Sequence, residues 1–156
     1  MDLGFLGILP LKWRGLIGVI TAPLIHGSIE HLVSNTFPVL FLGAAVYIFY
    51  DRIAPQVFLQ CYFFTNILVW VFGRPYYHIG ASGLVYALAS FLIFFGIFRR
   101  NPRSIIISLI VLLIYGGLIY GIFPQNEFVS WESHLMGFLV GIGAAFTMSK
   151  LKKVTS

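Results

Sequence analysis

Gly80-Ala81-Ser82-Gly83 opens onto the apolar run 84–98, and further along Ser133-His134 opens onto a second such run. A hydroxyl flanked by glycines, at the mouth of an apolar helix, is an unusual place to leave a polar group. An imidazole at the mouth of another such helix is its natural partner. The pair reads as a nucleophile and its base, carried on helices that lie in a bilayer.

Composition supports the bilayer. Hydrophobic residues make up 59% of the 156-residue chain and charged residues 10%, with a mean hydropathy of +0.93. A water-soluble domain carries about 25% charge, so this chain lacks the means to cover a wetted surface. The length suits one domain, residues 1–156. Cys61, the single cysteine, lies in the apolar run 57–72 and forms no intrachain disulfide. It reads as a small core residue. The net charge of +5 does not point to nucleic acid, because the basic residues gather at the ends of apolar runs. They report topology instead.

Segments of roughly 17–25 apolar residues cross a bilayer as helices. Five are expected, at about 29–50, 53–72, 82–98, 103–122 and 131–149, which makes an all-α, polytopic membrane bundle. Residues 1–28 are expected as an outer-face loop. Their apolar part, 15–27, is broken by Pro23 and too short to cross, so it reads as re-entrant or interfacial. Asp51-Arg52, Gly73-Arg74-Pro75, Asn101-Pro102 and Pro124-Gln125-Asn126 are the expected breaks between spans. The start lacks the positive leading region and small-residue cleavage site of a signal peptide.

Lysine and arginine mark the cytoplasmic side. Arg52, Arg99, Arg100, Arg103, Lys150, Lys152 and Lys153 fall on one side of the layout, and Lys12, Arg14 and Arg74 on the other. The expected orientation is C-terminus in and N-terminus out, in a bacterial plasma membrane. Both the 80–83 loop and the start of the last span then face outward.

Serine is a weak nucleophile until a base takes its proton, and imidazole, with a pKa of about 6.5, suits that task. The oxyanion that forms next needs fixed donors. Free N–H groups and the positive dipole end at the start of the Ser82 helix supply them. Gly80 and Gly83 let the backbone turn and approach closely. Ser82 alone would read as an ordinary helix N-cap. His134 sharpens the reading, because Gly137 and Gly141 follow on its helical face. Small residues at that spacing let membrane helices meet backbone to backbone, and Gly83 and Ala87 offer a matching face.

His31 and Asn35 lie four apart on one face of the first span, with His26 just before it. Ser28 reads as the N-cap and Glu30 suits the first turn. Such polar groups are costly in a membrane and tend to be functional. Both side chains can donate to an oxyanion, and both can equally serve to hold helices together.

Together these pieces resemble the rhomboid family of intramembrane serine proteases. The pattern is His26-x4-His31-x3-Asn35, then Gly80-Ala81-Ser82-Gly83-x2-Tyr86, then Ser133-His134-x2-Gly137-x3-Gly141. The resemblance implies a helical bundle that cleaves single-span membrane proteins near the outer edge of the bilayer, without cofactor. It implies Ser82 as nucleophile and His134 as base, with no carboxylate. His31, Asn35 and the Ser82 N–H would form the oxyanion hole, and Tyr86 would pack on the His134 ring. The family's core has six spans. The sequence shows five, so a further span before Met1 is expected.

The missing acid fits the chain: Glu132, two residues from His134, faces elsewhere, and Glu127 reads as a solvated loop charge. His78 reads as a surface or gate residue. No cysteine joins the four histidines and no H-E-x-x-H pair occurs, so no metal site is expected. Two rivals stay open, an inactive rhomboid-like binder of membrane proteins and a small channel or transporter subunit. The oligomeric state and the substrate's identity are not written in the sequence.

Overall fold

The structure, a computed structural model, describes residues 3–124 and 129–151. Expectations that rest on Gln125, Asn126, Glu127, Lys152 and Lys153 lie outside them. The long apolar runs form helices α2 (Ile29–Phe49), α3 (Ala54–Phe72), α4 (Ser82–Arg99), α5 (Pro102–Tyr115) and α6 (Trp131–Ser149). Their ends carry chemistry that explains the boundaries. Ser28 Oγ caps α2 by accepting from the His31 N–H at 3.1 Å, and Asn101 caps α5 by accepting from the Ser104 N–H at 2.8 Å. Arg100 closes α4 in the left-handed region at φ 59°, and Pro102 then starts the next helix.

The expected span 103–122 is not one α-helix. After Tyr115 the chain tightens into a 3-10 helix, Gly116–Ile122. Gly116-Gly117 explains the change, since glycine is a poor α-helix former. Among the described residues, four helices are long and apolar enough to cross a membrane: Ile29–Phe49, Ala54–Phe72, Ser82–Arg99 and Pro102–Ile122. Helix α6 has 19 residues and matches the fifth expected span in position. It falls outside that set of four because its first turn carries the polar residues Glu132, Ser133 and His134.

Helix α4 is the centre of the bundle. Within its apolar window 67% is buried, against 22% for α2 and 17% for the α5 segment. Phe91, Leu92 and Phe95 of α4 are fully buried among Leu42 and Val46 of α2, Val57 and Cys61 of α3, Val111 of α5 and Ala145 of α6. The peripheral helices turn Leu40, Ile48, Phe64, Ile106 and Leu113 outward. Such an apolar exterior is stable in lipid and costly in water.

Helix α4 meets α6 through small residues. A Cβ on Gly137 would sit 3.0 Å from the Gly83 carbonyl carbon and 3.2 Å from the Tyr86 Cβ. One on Gly141 would lie 2.9 Å from the Phe91 nitrogen. The bare glycines thus let α6 rest on the α4 backbone.

Ahead of α2, the chain runs through short turns, including α1 (Gly18–Thr21), and none of them spans. The segment is tied to α3: Asn66 Nδ2 donates to the Val19 carbonyl at 3.0 Å and Trp70 Nε1 to that of Lys12 at 3.0 Å. Arg99, from the far end of α4, donates to the Ser149 carbonyl at 2.9 Å, and Arg103 stacks on Phe49. One end of the bundle is therefore basic, and the starts of α2, α4 and α6 lie at the other.

Candidate active site

Ser82 is the first residue of α4, and Ala81 occupies the capping position without a side-chain bond. The N-cap reading of Ser82 is thereby overturned. Its hydroxyl instead lies 2.9 Å from His134 Nε2. The other ring nitrogen, Nδ1, is 2.9 Å from the Gly121 carbonyl. A carbonyl only accepts, so Nδ1 carries the proton and Nε2 is left to accept from the serine hydroxyl. Tyr86, one turn beyond Ser82, stacks on the imidazole with ring centroids 4.2 Å apart. His134 and Tyr86 are both buried.

Gly121 was not legible as a site residue. A Cβ there would fall 3.3 Å from His134 Nδ1 and collide with the Tyr86 hydroxyl. A glycine inside an apolar run signals close approach, and this was the only sign available. Gly80 has a similar part. It adopts φ +99°, and a Cβ there would stand 2.6 Å from His31 Nε2. The His31 imidazole thus lies against the loop that carries Ser82.

A cavity of about 560 Å³ joins Ser82 and His134 to His31 and Asn35. Asn35 is buried and its Nδ2 donates to the His31 carbonyl at 2.8 Å, while Oδ1 has no partner among the described residues. Its second N–H has a longer contact, 3.5 Å, to Ser34 Oγ, which a ligand would have to displace. His26 stands edge-on to His31, with ring centroids 5.0 Å apart, outside that cavity.

Two further ties hold the mouth of the site. Glu132 is buried and forms an ion pair with Arg74, whose Nη2 also donates to Glu132 Oε2 at 3.2 Å and the Val129 carbonyl at 3.3 Å. The carboxylate thus faces away from His134, as the spacing required. His78 is not a surface residue: it is only 4% exposed. Its Nδ1 lies 2.5 Å from Ser130 Oγ and its Nε2 3.0 Å from the Arg74 carbonyl. Burial pushes its pKa down, partly offset by that carbonyl bond and by the Glu132 charge, while Arg74 lowers it further.

The sequence matches the family model described as Rhomboid domain over residues 13–151. It is 39% identical over 160 residues to the uncharacterized protein Rv1337 of Mycobacterium tuberculosis, covering 92% of this chain and 63% of that protein. It is 34% identical over 166 residues to the uncharacterized protein ML1171 of Mycobacterium leprae, covering 96% of this chain and 62% of that one. The chain therefore spans somewhat under two thirds of the length of the curated relatives it matches.

Proposed function

This chain belongs to the rhomboid family, and on that premise we propose that it is an intramembrane serine endopeptidase working through a Ser82–His134 dyad. The observation that carries the reading is the hydrogen bond at 2.9 Å between Ser82 Oγ and His134 Nε2, with the tautomer fixed from behind by Gly121. His134 Nε2 takes the serine proton as Oγ bonds to the substrate carbonyl carbon. The carbonyl oxygen becomes an oxyanion, stabilised by the Ser82 N–H and by His31, with Asn35 contributing its second N–H. His134 then hands the proton to the leaving amine as the C–N bond breaks, leaving an ester on Ser82. Water, deprotonated by the same Nε2, clears the ester.

The Gly121 carbonyl does what a buried carboxylate does in a triad, orienting the ring and steadying its charged form. The Tyr86 face adds attraction for that cation, on the order of 0.5–2 kcal/mol. No step needs a metal or cofactor. The substrates proposed are single-span membrane proteins with a locally weak helix, because a peptide bond inside a regular helix is shielded. The basic end of the bundle is proposed to face the cytoplasm, and the site the outer surface.

Labelling by a fluorophosphonate probe in lipid tests the proposal. Modification of the wild type at Ser82, absent in Ser82→Ala, is expected. No modification of the wild type in lipid would overturn it in favour of a binding protein or a transport subunit.

A further inference from the structure

His78 and Ser130 pair a histidine with a serine, as Ser82 and His134 do, four residues earlier on each segment. Ser82 follows His78 by four residues, and His134 follows Ser130 by four. His78 sits in the loop that delivers the nucleophile, and Ser130 is the N-cap of the helix that delivers the base. We propose that His78 is a positioning residue that locks these two segments together, and so sets the distance between Ser82 and His134. The proposal rests on the dyad reading above.

The proton arrangement gives the lock a direction. The Arg74 carbonyl only accepts, so His78 Nε2 is the donor at 3.0 Å and Nδ1 accepts from the Ser130 hydroxyl at 2.5 Å. Ser130 Oγ in turn accepts from the Ser133 hydroxyl at 2.6 Å. A continuous chain thus runs from the residue before His134, through the cap of α6, to the loop before Ser82. Its far end is anchored, since the His78 backbone exchanges hydrogen bonds with Ile8 at 2.8 and 2.9 Å. Ser133 also packs on Gly83, where a Cβ would lie 3.1 Å from the Ser133 carbonyl oxygen. Arg74–Glu132 ties the same two segments from the outer side. A buried imidazole with both nitrogens engaged has little freedom, which suits a strut more than a gate.

The test uses the full chain in liposomes, with the concentration dependence of fluorophosphonate inactivation separating the chemical step, kinact, from probe binding, KI. His78→Ala should lower kinact roughly 10–100-fold with KI nearly unchanged, because a small misplacement of reacting groups costs that much. Ser130→Ala should lose a similar amount, and the double variant little more, as partners in one interaction do. His78→Asn places an amide oxygen near the position of Nδ1 and should recover most of the rate. Hydrogen exchange should rise together in segments 73–81 and 130–137 of His78→Ala. Unchanged kinact and exchange in His78→Ala, with Ser82→Ala unlabelled, would overturn the lock and leave the dyad standing. An unlabelled wild type would sink the dyad, and exchange would then decide: joint loosening supports the lock, and loosening of one segment alone refutes it.

Discussion

Tyr86 lies flat on the imidazole of His134, with the two ring planes only 5° from parallel. The His134 ring is thus gripped at three points: the Tyr86 face, the Gly121 carbonyl at Nδ1 and the Ser82 hydroxyl at Nε2. An imidazole held this way has one tautomer and one orientation, which is what a general base requires. Tyr86→Phe should keep most activity, since the stacking face remains. Tyr86→Ala should lose roughly 10–100-fold in turnover, because the ring becomes free to rotate. Equal activity of the two variants in a lipid assay would show that stacking has no part in catalysis.

Under the proposed mechanism, Gly121→Ala should impair cleavage from a position behind the His134 ring. The added methyl meets the Tyr86 hydroxyl and crowds His134 Nδ1, so the carbonyl that fixes the tautomer must shift. Turnover is expected to drop at least about tenfold, with α-helical content preserved by circular dichroism. An unimpaired Gly121→Ala would mean that another group orients the ring.

Ser82→Ala and His134→Ala should each abolish cleavage and leave thermal unfolding in micelles nearly unchanged. Nucleophile and base act as a unit, so loss of either removes most of the rate. Asn35→Ala should lose less than the roughly 10²–10³ typical of one oxyanion donor. One of its amide protons is already committed to the His31 carbonyl, and His31 and the Ser82 N–H remain. Asn35→Ala as dead as Ser82→Ala, while folded, would give Asn35 a different job.

Much of this architecture was legible beforehand, for identifiable reasons. Apolar run length reports spans directly, and the glycines at 83, 137 and 141 reported the α4–α6 approach because only close packing needs them at that spacing. The change to a 3-10 helix after Tyr115 was harder to read. Hydropathy is indifferent to helix type, and the Gly116-Gly117 signal sits inside an otherwise continuous apolar run. Gly121 escaped because its contribution is a backbone carbonyl, which every residue has. The burial of His78 is not legible in the sequence, because its backbone bridge to Ile8 and its ring bond to Ser130 join segments far apart in the chain.

Gly137→Val or Gly141→Val should harm stability more than any catalytic substitution. Branched side chains there would wedge α6 from the α4 backbone, where existing clearances already exclude a single Cβ. Overpacking of this kind costs about 1–3 kcal/mol, and here it also parts Ser82 from His134. A lower melting temperature together with lost labelling is expected. A stable, fully labelled Gly141→Val would show that the helices do not meet at that point.

Acid should loosen the mouth of the site through His78. In the fold its pKa is held below the ordinary value of about 6.5, chiefly by burial, with Arg74 pressing the same way and Glu132 opposing. The folded state therefore binds fewer protons than the unfolded one around that pH, and stability rises with pH there. The neutral-His78 contribution is complete above about pH 6.5 and is lost as pH falls through the depressed folded value. Protonation would also put a hydrogen on Nδ1, where the Ser130 hydroxyl now donates, and force the serine chain to reverse. His26, whose pKa is also lowered by burial and by His31, titrates nearby, so wild type must be compared with a variant that keeps it. His78→Asn serves, since it retains an acceptor for Ser130 but has nothing to protonate. Melting temperatures taken from pH 8 to pH 5 should fall more steeply for the wild type than for His78→Asn. Parallel curves would mean that the acid sensitivity of the fold lies elsewhere.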